Sequence, residues 1–317
     1  MSDVAISSRA SVGHVRLGVA DLGVMLEFYR DVLGLRHALT EGDGTVHLSA
    51  DGRYPFLFGL AAVPGASRPP RRTTGLYHTA VLVPSRAWLG RLLRRLVAKG
   101  IDLDGASDHL VSEALYLRDP EGNGVELYAD RPREAWPHVD GQVVMTTEPL
   151  DLDALIAEGR DGEAPWDRLP PETRVGHVHL RVSALDRAEA FYHGVLGFDV
   201  TLRRYPGALF FSAGGYHHHL GTNVWGSAGA APPPPNAIGL RSFAVRLPDA
   251  AELARIVRNA EQAHVRIEGA VDHGVSTAVT LRDEDGIAID LTVDRPGAGD
   301  PGGWTQVPVG VAAVVGT

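Results

Sequence analysis

At 317 residues and 33.8 kDa, the chain exceeds one typical core and points to two domains. A net charge of −9 with only two short basic clusters, Arg68–Arg72 and Arg91–Arg95, argues against nucleic acid as a partner, and the absence of cysteine excludes disulfides, thiolate metal sites and a cysteine nucleophile. No apolar run reaches the roughly 20 residues of a membrane helix and Met1–Ser11 lacks the layout of a signal peptide, so a cytoplasmic protein is expected.

The first element is an alternating strand, Val12–Val19, followed by an amphipathic helix over about Leu22–Leu33 in which Met25, Phe28, Tyr29 and Val32 recur at helical spacing. Gly34 stops that helix. Strands near Arg36–Glu41, Thr45–Ser49 and Pro55–Leu60 complete a βαβββ module. A second module runs from the strand Leu76–Val83 through the helix Ser85–Lys99 to strands near Ala114–Arg118 and Gly124–Ala129. The turn between those strands is Asp119–Pro120–Glu121–Gly122, where proline fixes φ early and glycine accepts a positive φ late.

A long connection rich in Pro, Asp and Glu follows, Asp130–Pro170, with one short helix at Leu152–Glu158. The third module starts at Val175, and its helix covers about Leu185–Leu196. Ser227–Asn236, with four successive prolines, leads to the fourth module, Gly239–Asp294, and from Pro296 the chain is a tail, docked or frayed. The two halves are copies. Val12–Gly13–His14–Val15 returns as Val175–Gly176–His177–Val178, Phe28–Tyr29 with Val32–Leu33–Gly34 as Phe191–Tyr192 with Val195–Leu196–Gly197, and Leu117–Arg118–Asp119 as Leu281–Arg282–Asp283.

Within the third module, Gly214–Asn223 carries three consecutive histidines and reads as the last strand. Alternation then places His217 and His219 on one face, about 7 Å apart, and His218 on the other. A polar strand face in solvent accounts for the same residues.

Four βαβββ modules with these signatures resemble the vicinal oxygen chelate superfamily, which includes glyoxalases, antibiotic-resistance proteins and extradiol dioxygenases. The segments GLYHTAVLVP, VELYADRP and GGYHHHLGTNVW are similar to the two-domain catechol 2,3-dioxygenase type of bacilli. The resemblance implies an α+β fold of four βαβββ modules forming two cupped mixed β-sheets with helices outside. It divides the chain into halves at 1–132 and 173–296, a connection at 133–172 and a tail at 297–317.

In that superfamily, metal ligands come from the opening and closing strands of two modules that share a cupped sheet. The opening positions here are His14, His78, His177 and Ser242, and the closing positions Leu57, Glu126, His219 and Asp290. Pairing modules one and two offers His14, His78 and Glu126. Pairing three and four offers His177, His219 and Asp290, with Ser242 a poor fourth ligand. Pairing two and three is favoured, because the extradiol pattern of two opening histidines, a histidine-rich closing strand, a loop histidine and a closing glutamate is met by His177, His78, His217–His219, His109 and Glu126. Module one has Pro55–Phe56–Leu57 in place of the histidine strand, and module four keeps only His273 in the loop that matches His109.

The metal set implied is thus His78, Glu126 and His177. Two imidazoles and one carboxylate leave open positions suited to Fe(II), with Mn(II) or another divalent ion as an alternative, whereas zinc prefers a tighter four-coordinate site. His217, His219 and His109 are the acid/base candidates and Tyr128, on the face of Glu126, a substrate contact. The implied reaction is extradiol cleavage of a catechol-type aromatic diol with O2 to a semialdehyde. Two other readings stand beside it: a glyoxalase-type metal-dependent lyase or isomerase using His78, Glu126, His177 and His219, and a metal-free protein that sequesters a drug or intermediate.

Structural roles also account for several of these residues. His14 suits a satisfied core histidine, the Asp–His pairs at His109 and His273 suit a ring held by its carboxylate, and Phe210, Phe211 and Trp225 suit core or cavity wall. His179, on the face of His177 by parity, suits a donor behind the metal or a ligand in an altered register. Glu126 resists such a reading, since a carboxylate in the apolar run Val125–Leu127 costs several kcal/mol if buried without a cation or hydrogen bonds. Exposed sheet edges make a homodimer reasonable.

Overall fold

The computed structural model describes residues 5–140, 142–160 and 168–315; positions 161–167 of the expected connection, the first four residues and the last two residues of the tail lie outside the described residues. All four modules form. The opening strand Ser11–Val19 leads to a helix at Leu22–Leu26, capped by the Asp21 carboxylate, which accepts from the Val24 N–H. It continues as a wider π-helical turn, Glu27–Val32, so the expected single helix is two pieces of different pitch. The other long helices, Arg86–Ala98 and Ala250–Gln262, start at caps of the same kind, Ser85 and Asp249.

The modules pair as two with three and one with four, giving two nine-stranded mixed sheets. In one sheet the opening strands Gly75–Leu82 and Arg174–Arg181 run antiparallel at the centre, and in the other Ser11–Val19 and Gly239–Leu247 do so. Each opening strand has its own module's closing strand as parallel neighbour: Gly124–Asp130, Leu220–Asn223, Phe58–Ala62 and Ala288–Asp294. Strand parity then divides the faces. On Arg174–Arg181, Val178 and Leu180 join the hydrophobic core beneath the helices, while His177 and His179 alternate with them and line the cupped face.

The connection and the tail are the same extra piece built twice. Glu148–Pro149 adds an edge strand to Gly105–Asp108, and Val307–Val309 adds one to Arg266–Asp272. The Thr146 carbonyl accepts from His109 Nδ1, and the Thr305 carbonyl from His273 Nδ1. The tail is therefore docked, with a 3-10 turn at Pro301–Gly303, the edge strand Val307–Val309 and a short helix at Val311–Val315.

Two expectations need correction. The last strand of module one starts at Phe58, not Pro55, and the last strand of module three starts at Leu220, leaving all three histidines in the turn before it. Gly214 and Gly215 both take the left-handed conformation (φ +60° and +68°), and two such residues in succession break a strand. The closing register also shifts. Ala80 opposes Glu126, His179 opposes Gly221 and Arg16 opposes Gly59, so modules three and one carry glycine, not His219 and Leu57, at the position of Glu126.

Gly176 sets how closely the two central strands approach the closing strand. A Cβ there would lie 1.8 Å from the Tyr128 hydroxyl oxygen and 3.1 Å from Leu82 Cβ. Tyr128 is fully buried and its hydroxyl is 2.8 Å from that of Tyr216, so it has no room to swing aside. Gly176→Ala is expected to destabilise the fold by about 1–3 kcal/mol, the range for overpacking, read as a lower urea midpoint at unchanged slope. An unchanged midpoint would show that this contact does not constrain the strand.

Candidate metal centre

His78 comes from one central strand, His177 from the other, and Glu126 from the closing strand beside His78. Their donor atoms lie within 4.8 Å of one another and all three residues are buried. His78 Nε2 is 3.0 Å and His177 Nε2 3.1 Å from the same oxygen, Glu126 Oε2. Two donors about 2.1 Å from one ion and at right angles to each other are about 3.0 Å apart, so these separations suit a shared divalent ion. His78 Nε2, although close to the carboxylate, is out of line for a hydrogen bond and is left without a partner. An orphaned buried ring nitrogen aimed at a shared point is what a ligand requires and what a structural histidine avoids.

The electrostatics agree. Burial alone would raise the Glu126 carboxyl, but His177 and His78 reverse that and hold it well below the ordinary carboxylate range. Burial depresses His177, against the pull of Glu126, so the ring is a neutral donor.

A cavity of about 360 Å³ opens over this group. One side carries His109 and Tyr116: His109 donates from Nδ1 to the Thr146 carbonyl, which leaves Nε2 to accept from the Tyr116 hydroxyl at 2.7 Å. Burial, then the Glu126 charge, pushes the Tyr116 hydroxyl far above its usual range, so it remains a proton donor. The other side is aromatic, with Tyr77, Tyr205, Phe210 and Trp225 around His179.

Of the three turn histidines it is His218 that lines the cavity, its ring 4.1 Å from that of His177. His217 stands behind it. The two Nδ1 atoms are 2.8 Å apart, and His217 Nε2 is 2.9 Å from Asp130 Oδ1. A carboxylate only accepts, so neutral His217 carries its proton on Nε2, its Nδ1 accepts from His218 Nδ1–H, and His218 Nε2 is left as a lone pair on the cavity side. Asp130 also accepts from the Tyr216 hydroxyl. His219 points elsewhere: its Nδ1 accepts from the Ala213 N–H at 3.1 Å, and it stands outside the three-donor group. Tyr128 lies behind His177, with ring centroids 4.9 Å apart, and is likewise absent from the cavity lining.

Sequence reasoning passed over His218 and Tyr116. Alternation assigned His218 to the wrong face because the segment is not a strand. Tyr116 could have been found from pairing, since it is directly cross-strand from Glu126. The equivalent hollow of the other sheet, about 230 Å³, is lined by His14, Arg16, His273, Thr280 and Asp290. There Ser242 replaces the second opening histidine, and no second three-donor group exists among the described residues.

Burial depresses several of these imidazoles. His14, His179 and His218 fall well below their ordinary value, with burial the first cause in each, and His219 falls to about 3, through burial and then His217. A histidine depressed in the folded state contributes stability above its unfolded value near 6.5 that is lost as pH falls toward the folded one, because the unfolded chain takes up the proton first. His219 alone should remove about 2–3 kcal/mol between about pH 7 and about pH 4.5. Urea midpoints at the two pH values should fall steeply for the wild type and less for His219→Gln; parallel slopes would show that His219 is not the source.

No helix among the described residues is long and apolar enough to cross a membrane. A profile of the Glyoxalase/Bleomycin resistance protein/Dioxygenase superfamily matches residues 11–127 and 174–291. A catechol-2,3-dioxygenase of Bacillus subtilis (strain 168) is 43% identical over 267 residues, spanning 83% of this chain and 92% of that protein. Biphenyl-2,3-diol 1,2-dioxygenase 3 of Rhodococcus globerulus is 34% identical over 140 residues, 43% of this chain and 73% of that one. A solved structure from Bacillus subtilis subsp. subtilis str. 168 aligns at a TM-score of 0.63 with 15% identity, over 92% of this chain and 87% of the other, a likeness of fold alone.

Proposed function

The chain belongs to the Glyoxalase/Bleomycin resistance protein/Dioxygenase superfamily, and from that premise we propose that it is a metal-dependent extradiol dioxygenase, opening a catechol-type aromatic diol with O2. The observation that carries this reading is the buried His78–Glu126–His177 group at the base of an aromatic-walled cavity. Those three side chains would hold the ion. Two imidazoles and one carboxylate with the remaining positions open favour Fe(II), with Mn(II) next. The bound ion supplies a Lewis-acidic centre at which diol and O2 can meet.

The chain's own groups then divide the work. The aromatic wall of Tyr77, Phe210 and Trp225 orients the ring and excludes water. His218 Nε2 accepts a proton from a diol hydroxyl, and its Nδ1–H is handed to His217 Nδ1, where Asp130 balances the charge. Tyr116, whose proton is committed to His109 Nε2, offers its hydroxyl oxygen as a hydrogen-bond acceptor on the opposite side. His219 and Tyr128 shape the turn and the strand behind these groups without touching substrate. Products of the ring opening would be a semialdehyde acid. The lyase alternative needs His219 as a fourth ligand, and His219 stands outside the three-donor group and outside the cavity lining.

The test is anaerobic purification with metal analysis, followed by oxygen uptake with catechol and the appearance of a yellow product. Stoichiometric iron and one O2 consumed per diol would support the reading. Protein loaded with Fe(II) that binds catechol but consumes no oxygen would overturn it, and protein that takes up no metal would favour sequestration.

A further inference from the structure

His179 is a polar group in the cavity that neither the metal group nor the proton path uses. It is buried at 4% exposure, and its Nε2 has no hydrogen-bond partner among the described residues. Its surroundings are apolar faces: Tyr77 at 5.1 Å, Phe210 at 5.7 Å and Trp225 at 5.6 Å between ring centroids, with the ligand His78 at 5.0 Å. The place is built for this ring, because a Cβ on Gly221 beneath it would lie 2.9 Å from His179 Cγ.

The other half of the molecule provides an internal comparison. The same strand position there is Arg16, opposite Gly59 as His179 is opposite Gly221. Arg16 is satisfied within the chain by Glu41 at 3.2 Å. In the half that carries the metal group, Phe210 stands where the other half has His47, the Glu41 partner, and His179 Nε2 is left without a partner. An unmade hydrogen bond at a buried nitrogen is costly, so its retention in a cavity implies that a ligand completes it.

Resting on the dioxygenase reading, we infer that His179 is a specificity residue, its Nε2 hydrogen-bonding an uncharged oxygen on a substituent of the catechol ring. The substrate class is thus a catechol bearing a carbonyl or hydroxyl substituent rather than a plain hydrocarbon one. The substituent is uncharged because the cavity's own lining cation, Arg118, is already paired with Asp104 at 2.8 Å.

The experiment compares acetyl-substituted and isopropyl-substituted catechols, which match in size and differ in the oxygen. Wild type should favour the acetyl compound by about 10- to 100-fold in kcat/KM, the effect of leaving a buried polar group unpaired with the other. His179→Leu should erase that preference, losing far more kcat/KM on the acetyl than on the isopropyl compound at unchanged metal content, and His179→Gln should restore part of it. Equal loss on both compounds in His179→Leu, or no preference in wild type, overturns the inference. Anaerobic equilibrium binding of the same pair reads the preference without turnover. If neither compound is cleaved but the acetyl compound still binds preferentially, the oxygenase reading fails and the role of His179 stands.

Discussion

Glu126→Gln is expected to abolish ring cleavage and to lower affinity for the divalent ion by more than about 100-fold, since loss of a direct ligand exceeds the 10- to 100-fold typical of groups behind the ligands. The substitution keeps the shape of the side chain and removes the one charge that both imidazoles address. The apo fold should also lose stability, because the folded protein favours the ionised Glu126 carboxylate and glutamine cannot supply that charge. The metal-dependent part of stability should vanish as well. Wild type in an ion at 100 times its dissociation constant gains about 2.7 kcal/mol, and the variant should gain almost none. Thermal melts with and without Fe(II), beside direct titration, separate the two effects. Unchanged metal affinity in the variant would remove Glu126 from the ligand set.

The second large effect is expected at His218. His218→Gln should retain the ion and lose about 10²- to 10⁴-fold in kcat, the usual contribution of a positioned acid/base group. KM should move little, since the aromatic wall and not His218 supplies most of the contact with the ring. The role of His218 depends on tautomer: Asp130 fixes the proton on His217 Nε2, His217 fixes the one on His218 Nδ1, and only then does His218 present a lone pair to the cavity. His218 also lies against His177, one of the three proposed ligands, so metal content must be measured in the same samples. A variant with full metal and wild-type kcat would assign the proton to another group, with His109 and Tyr116 next in reach.

The fold was largely legible because its signals are local and repeated. Alternating strands, capped helices and the Asp119–Gly122 and Asp283–Gly286 turns each report on a few neighbouring residues, and their return in the second half marks the duplication. The docked tail was less legible. Its strand and short helix bury little on their own, and they form because the edge of Arg266–Asp272 is open to them.

The candidate site divides along the same line. His78, Glu126 and His177 stand out in sequence because they are polar residues inside strongly apolar strands, and a side chain of that kind needs a partner wherever the strand goes. The histidine turn misled, since three polar residues between glycine pairs and apolar strands fit a period of two as well as they fit a loop. Only backbone conformation at Gly214 and Gly215 separates the two.

What the sequence determined by itself is thus the module, its fourfold recurrence and the identity of the polar residues that cannot be left unpaired in a core. Tertiary structure alone decided that glycine stands opposite His179 and Arg16 and that His218 rather than its neighbours faces the cavity, whereas the pairing of modules two and three that it shows is the one the ligand pattern favoured. The physical reason is range. Strand and helix patterns are set by contacts a few residues apart, whereas pairing, register and the aim of a turn side chain are set by surfaces that the chain brings together from its two halves.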